Sequence, residues 1–195
     1  DTAFDNTPFL AEFIGSKENT HLAAQTGILY DYSMTKVIAM GSALGDVVVP
    51  GTVEVIPNNM FMDMSADSVT FEYGVKTIGT NVFLRSDIPV IIIPSSVTSI
   101  GAYAFSDCSV TSLNIPGSVE KIPDNMARDS PYLQSVILND GTTAIGSYVF
   151  LGCSSMRSIS IPDSVSTIGT NAFNTSALVS LTLPDDVNIS GTVNS

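Results

Sequence analysis

The side chains in this chain that could do chemistry are few, and their spacing argues against catalysis. One histidine, His21, and two cysteines, Cys108 and Cys153, are the only imidazole and thiol groups in 195 residues. A Ser-His-Asp triad needs a histidine between a hydroxyl and an orienting carboxylate, and a closed zinc site needs four nitrogen or sulfur ligands. His21 reads instead as a polar residue beside the two-stranded segment at 27–39, and two cysteines are too few for a disulfide framework. Carboxylates remain, because glycosidases need only two acids. Asp185 and Asp186 are sequence neighbours, Asp63 and Asp67 share a loop, and Asp124 and Asp129 bracket a turn. None sits where one pKa would rise and its partner's would not. No Asp-x-Asx-x-Asx-Gly loop is present for calcium. The reading is a non-enzymatic chain with no cofactor and no metal. Asn174-Thr-Ser176 and Asn188-Ile-Ser190 match the glycosylation sequon.

Composition narrows the partners. Seven Lys and Arg stand against 19 Asp and Glu, a net charge of −12. Nucleic acid is therefore excluded, since phosphates are bound by clustered cations. With 44% hydrophobic and 13% charged residues the chain can bury a core and is not a disordered solvating segment. Its longest apolar stretches, such as 89–93, are far too short to cross a bilayer, so no membrane insertion is expected of this segment. It opens at Asp1 without a secretory leader and reads as a processed or excised piece.

The elements that must position these side chains come from an internal repeat. Phe61, Phe83, Phe105, Phe150 and Phe173 recur at intervals of 22, 22, 45 and 23, with Ala127 in the unit inside the long interval. Five residues before each stands an isoleucine: Ile56, Ile78, Ile100, Ile122, Ile145 and Ile168. Three before those come Val53, Val75, Val97, Val119, Thr142 and Val165. Further upstream an alternating pair recurs, from Val47/Val49 through Ile91/Ile93 to Leu181/Leu183. That period-2 pair predicts a short strand with alternate side chains inward. Pro50, Pro94, Pro116, Pro162 and Pro184 end it, while Glu72 and Asn139 take that place in two units.

After the isoleucine come Gly79, Gly101, Gly146 and Gly169, but Pro57 and Pro123 in two units. Alternation of glycine with proline implies negative φ and an amide that needs no partner, so glycine is there for close packing. The next column, Asn58, Thr80, Ala102, Asp124, Ser147 and Thr170, is rich in N-cap residues and predicts a short helical turn that carries the phenylalanine inward. A lone coil cannot repay the cost of ordering its own backbone. Stacked coils can, and this is the physics of a solenoid.

A unit such as 159–173, Ile-Ser-Ile-Pro-Asp-Ser-Val-Ser-Thr-Ile-Gly-Thr-Asn-Ala-Phe, resembles the BspA-like (Treponema-type) leucine-rich repeat surface protein family. The resemblance implies an α/β, strand-rich repeat protein: a right-handed leucine-rich-repeat solenoid with a parallel strand ladder and short helical turns. It implies a partial repeat at 1–16, a two-stranded hairpin insertion at 17–46 (Gly27 to Asp31, then Thr35 to Ala39), six repeats of 22–23 residues at 47–184, and the tail of a further repeat at 185–195. Because 185–195 carries no capping helix, the stack is expected to continue or to self-associate end to end there. The resemblance also implies a cell-surface or extracellular protein that adheres to host matrix proteins.

Within this register Cys108 and Cys153 sit at equivalent points two coils apart. Strands stack about 4.8 Å apart, which puts these Cα atoms about 10 Å apart, beyond the ~7 Å reach of a disulfide; two buried free thiols are expected. Glu54 and Lys76 should pair on neighbouring coils. The outward side of the strand ladder is the candidate binding face, with exposed Val48, Ile92 and Ile137 as its apolar members. Its expected ligand-binding residues are Ile92, Asn114, Gln134, Ile137, Arg157 and Ser160. The function expected is non-catalytic protein binding. The alternatives are a glycan-binding solenoid, disfavoured because the exposed columns lack aromatic platforms and paired carboxylates, and a structural spacer in a longer surface protein.

Overall fold

The computed structural model describes residues 21–40 and 45–191; the expected partial repeat at 1–16 lies outside them. The first described unit is an antiparallel sheet of β1 (Leu22–Gln25), β2 (Ile28–Asp31) and β3 (Val37–Met40), in that order. Two strands were expected here and three are found. The extra one, β1, pairs with β2 from Leu22↔Asp31 to Gln25↔Ile28 across a Thr26-Gly27 turn in which both residues have positive φ. Beyond β2 the Asp31 carboxylate organises the next turn, accepting the amides of Thr35 and Lys36 at 2.6 and 2.8 Å and both nearby hydroxyls. Those donors hold its pKa well below the usual carboxylate range.

The solenoid follows, two strands to a coil. Coil 1 carries β4 (Asp46–Val49) and β5 (Val55–Ile56), coil 2 β6 (Ser68–Phe71) and β7 (Thr77–Ile78), and coil 3 β8 (Val90–Ile92) and β9 (Ser99–Ile100). Coil 4 carries β10 (Ser112–Ile115) and β11 (Lys121–Ile122), coil 5 β12 (Ser135–Leu138) and β13 (Ala144–Ile145), and coil 6 β14 (Ser158–Ser160) and β15 (Thr167–Ile168). A seventh coil adds β16 (Asn188–Ile189) to the second strand row, paired to β15. Within coils 1 to 3 and within coils 4 to 6, equivalent strands pair in parallel and in register, Val47↔Val69 and Val136↔Ile159 among them, so like side chains lie above like.

The core is the set of columns read from the sequence. Val53, Val75, Val97, Val119 and Val165, the six isoleucines from Ile56 to Ile168, and the five repeating phenylalanines are all buried. Thr142 takes a valine position without penalty because its hydroxyl donates to Val119 O at 3.1 Å. The rings of Phe61 and Phe83 stack at 5.2 Å, Phe83 and Phe105 at 5.4 Å, and Phe150 and Phe173 at 5.7 Å.

The third side of each coil corrects the helical-turn expectation. No helix is present among the described residues, and the α/β assignment gives way to a strand-rich β-solenoid of leucine-rich-repeat type. The residue after each expected cap is in the left-handed region, as at Asn59 (φ 61°), Asn81 (56°), Tyr103 (57°) and Asn125 (58°), and so is the residue four further on, as at Asp63 (59°) and Asp107 (49°). A helical turn would use its amides internally. Here the amides of Asn59, Phe61 and Asp63 point along the stack and donate to Thr80, Val82 and Leu84 of the next coil at 3.0, 2.8 and 3.0 Å. The supposed caps join this ladder: the side-chain oxygens of Asn58 and Asp124 accept from the amides of Thr80 and Ser147.

The glycine column is tight, as expected. A Cβ on Gly101 would lie 2.5 Å from Thr80 N and 2.6 Å from Gly79 C. Its amide is not idle, however: Gly101 donates to Ile78 O at 2.8 Å, and Gly146 to Ile122 O at 2.9 Å. Where proline is replaced at the strand ends the amide likewise bonds, Glu72 to Val49 O and Asn139 to Ile115 O.

Candidate functional site

The outward residues of the first strand in each coil form three parallel columns. The alternation that buries Val69, Phe71, Leu113 and Ile115 turns Ser68, Thr70, Ser112 and Asn114 outward. Pairing of β10, β12 and β14 sets Asn114, Ile137 and Ser160 one above another. Gln134 and Arg157 stack in the column before them: Gln134 donates its amide to Thr111 O at 2.9 Å and Arg157 to Gln134 O at 3.0 Å. The expected residues thus share one face, and all six are exposed. Five belong to the hydrogen-bonded coils 4 to 6. Ile92 stands on coil 3, whose β8 does not pair with β10.

Two adjustments follow from the packing. Val48 is only half-buried rather than exposed, because Thr26 of the antiparallel unit covers it, with Oγ1 to Val48 O at 3.4 Å. Asn114 is less free than its exposure indicates, since Asn139 Nδ2 donates to its Oδ1 at 2.7 Å. Val90 and Tyr132 are not among the residues expected to bind, yet both are exposed at this face. Val90 is 45% exposed and Tyr132 60%, beside Ile92 at 50% and Ile137 at 48%. Tyr132 directly precedes the buried Leu133, so strand alternation extended two residues upstream of Gln134 would have placed it outward.

Charge is nearly absent from this face. Among the described members of the three columns only Asp46, Asp67 and Arg157 are charged, and the Asp46 carboxylate is engaged by Ser68 Oγ at 2.6 Å. Coils 3, 4 and 5 contribute no charge between Pro89 and Ile137 in these columns, although the chain as a whole carries −12. The acids lie elsewhere. Asp63 is held by Arg85 through two contacts of 2.7 and 2.8 Å, which lower its pKa. Glu54 pairs with Lys76 at 2.6 Å, as the register implied. Asp129 pairs with Arg128 at 3.0 Å.

The other candidate chemistry stays dispersed. His21 is exposed at the foot of the antiparallel sheet, where its carbonyl accepts the Tyr32 amide. Cys108 and Cys153 are buried free thiols on either side of Ser130; their sulfurs donate to Phe105 O and Ala127 O, each at 3.1 Å. Burial pushes the Cys108 thiol up to about 11 and Cys153 up to about 12, so neither is a nucleophile at neutral pH. Asp124 serves the inter-coil ladder, and Asp185 and Asp186 are exposed in a turn. Among the described residues no three of His, Cys, Asp and Glu gather as a metal would require, and no helix is long and apolar enough to cross a membrane.

Known proteins share this architecture. A leucine-rich repeat protein from Eubacterium ventriosum is similar at 25% identity and a TM-score of 0.81, over 92% of this chain and 50% of that one. One from Bacteroides ovatus is similar in fold at 19% identity and a TM-score of 0.56, over 94% and 54%. The T. pallidum leucine-rich repeat protein shares the fold at 20% identity and a TM-score of 0.60, over 76% and 70%. The chain therefore spans about half the length of the first two structures. Among curated proteins none matches. The family model for the BspA type leucine rich repeat region matches in six copies, over residues 39–126 and 76–193. With the coil columns, the parallel ladders and this match in agreement, the chain belongs to the BspA-type leucine-rich repeat family.

Proposed function

We propose that this segment is a non-catalytic protein-binding module of a cell-surface or extracellular protein, and that it binds through the outward strand face to a protein ligand of the host extracellular matrix. The observation that carries the reading is the uncharged strip on coils 3 to 5, where Val90, Ile92 and Ile137 are exposed among Thr111, Ser112, Asn114, Gln134 and Ser135. Depletion of charge around exposed apolar side chains marks the core of an interface rather than ordinary solvated surface. The strip is small. Three coils span about 10 Å along the stack and four residues about 13 Å across it, well under the ~800 Å² that each partner contributes to a standard interface. It would therefore be the anchoring centre, with Tyr132, Arg157 and Ser160 at its rim. Family membership supports protein binding as the general role.

A glycan-binding face would present aromatic platforms, and the three columns hold none. The test is surface plasmon resonance against immobilised extracellular-matrix proteins. Ile137→Asp with Gln134→Ala and Arg157→Ala should weaken binding at least about tenfold, while Thr143→Asp on the second strand row should not. Binding unchanged by the triple substitution would overturn the reading and favour the spacer.

A further inference from the structure

We infer that the solenoid has a built-in hinge between its third and fourth coils, so that coils 1–3 and coils 4–6 move as two bodies and the spacing of the strand face varies at that joint. Both strand ladders stop there. The first row of strands divides into β4-β6-β8 and β10-β12-β14, and the second into β5-β7-β9 and β11-β13-β15-β16. The cause lies in coil 4, which has proline in both ladder columns, at Pro116 and Pro123. The equivalents in coil 5, Asn139 and Gly146, donate back to Ile115 O and Ile122 O at 3.2 and 2.9 Å. Prolines have no such proton to give. Coil 1 also has both prolines but has no preceding solenoid coil described beneath it, and the remaining coils have at most one.

Two further features coincide with the joint. The aromatic file breaks in the same coil, where Ala127 interrupts the stack between Phe105 and Phe150. What still crosses the joint is gathered mainly on the turn side: Phe105 N to Met126 O at 2.8 Å, Asp107 N to Arg128 O at 2.9 Å, and Ser106 Oγ to Arg128 O at 2.6 Å. On the strand side the crossing bonds are Thr111 N to Pro89 O at 3.2 Å and side-chain bonds of Thr111 and Ser118. A stack riveted along one edge and loosely held along the other bends about the riveted edge, the geometry of a hinge. Ile92 lies on one side of the joint and Ile137 on the other, so bending alters their separation whatever the face binds.

Paired spin labels in the full chain test this, with the native thiols left in place because both are buried. Val90→Cys with Ser135→Cys spans two coil spacings across the joint, and Ser112→Cys with Ser158→Cys spans two within the continuous β10-β12-β14 ladder, about 10 Å of backbone in each case. The expected result is a distance distribution about twofold broader for the crossing pair. Equal widths would overturn the hinge. Pro116→Asn with Pro123→Gly, which restores both donors, should narrow the crossing pair to the width of the other; no narrowing would overturn the assigned cause. The comparison of the two pairs stands without the proline variant, should that variant fold poorly.

Discussion

Replacing Gly101 by alanine tests how closely one coil lies on the next. The new Cβ would sit 2.5 Å from Thr80 N, 2.6 Å from Gly79 C and 2.7 Å from Gly79 O, all backbone atoms of the coil beneath. Ordinary contact begins near 3.4 Å, so the coils must part locally by nearly 1 Å, and no flexible side chain is available to yield. Overpacking of this kind costs about 1–3 kcal/mol. Stretching the Gly101 N to Ile78 O bond, now 2.8 Å, forfeits about 1 kcal/mol more. Against this, alanine restricts the unfolded chain and returns about 0.4–1 kcal/mol. The balance is a loss of about 1–3.5 kcal/mol, which for a protein of this size lowers Tm by about 2–14 °C. Gly45→Ala is the control, since its Cβ would meet only the Asp67 carboxylate at 3.8 Å, and it should stay within about 0.5 kcal/mol of the parent. Urea unfolding with a common m-value reads both. A Gly101→Ala protein as stable as its parent would refute the close stacking on which the column argument rests.

The thiols and the main surface ion pair give further expectations. With Cys108 near 11 and Cys153 near 12, about a thousandth or less of either is thiolate at pH 8. A disulfide-exchange reagent should therefore label neither in the native protein and both after urea unfolding; rapid native labelling, or no thiol after unfolding, contradicts the assignment. Asp63, lowered by Arg85, binds its proton more weakly folded than unfolded. Its contribution is present above the unfolded carboxylate range and fades as pH falls through the lowered folded pKa. Because both partners are solvent-exposed the effect is small, and Arg85→Ala should flatten the acid limb of the stability curve only slightly; a large change would mean the pair does more than the register implies.

Much of this was legible in the residues themselves. Val47/Val49 and its successors identify the strand, because period-2 alternation repeated at a fixed interval leaves one register that buries every copy. The same alternation placed Ile92, Asn114, Gln134, Ile137, Arg157 and Ser160 on one face. The turn side was misread because Asn58 and Asp124 serve equally well as helix caps and as acceptors for a neighbouring coil's amide. The discriminating signal lay one residue later, where Asn59, Asn81, Asn125 and Asn171 mark a left-handed position that asparagine tolerates. The cover over Val48 was not legible, since Thr26 reaches it from a separate sheet 22 residues away. The joint at coil 4 was spelled out in Pro116, Pro123 and Ala127, but each departure looks harmless until the ladders show that all three fall in one coil.

Ring-to-ring nuclear Overhauser effects in a protein with labelled phenylalanines test the stacking most directly. The account predicts cross-peaks linking Phe61 to Phe83, Phe83 to Phe105 and Phe150 to Phe173, from centroid separations of 5.2, 5.4 and 5.7 Å, and no direct peak between Phe105 and Phe150. Rings that show no contact from one repeat to the next would contradict it, and the shared face of Ile92, Asn114 and Ile137 would lose its basis.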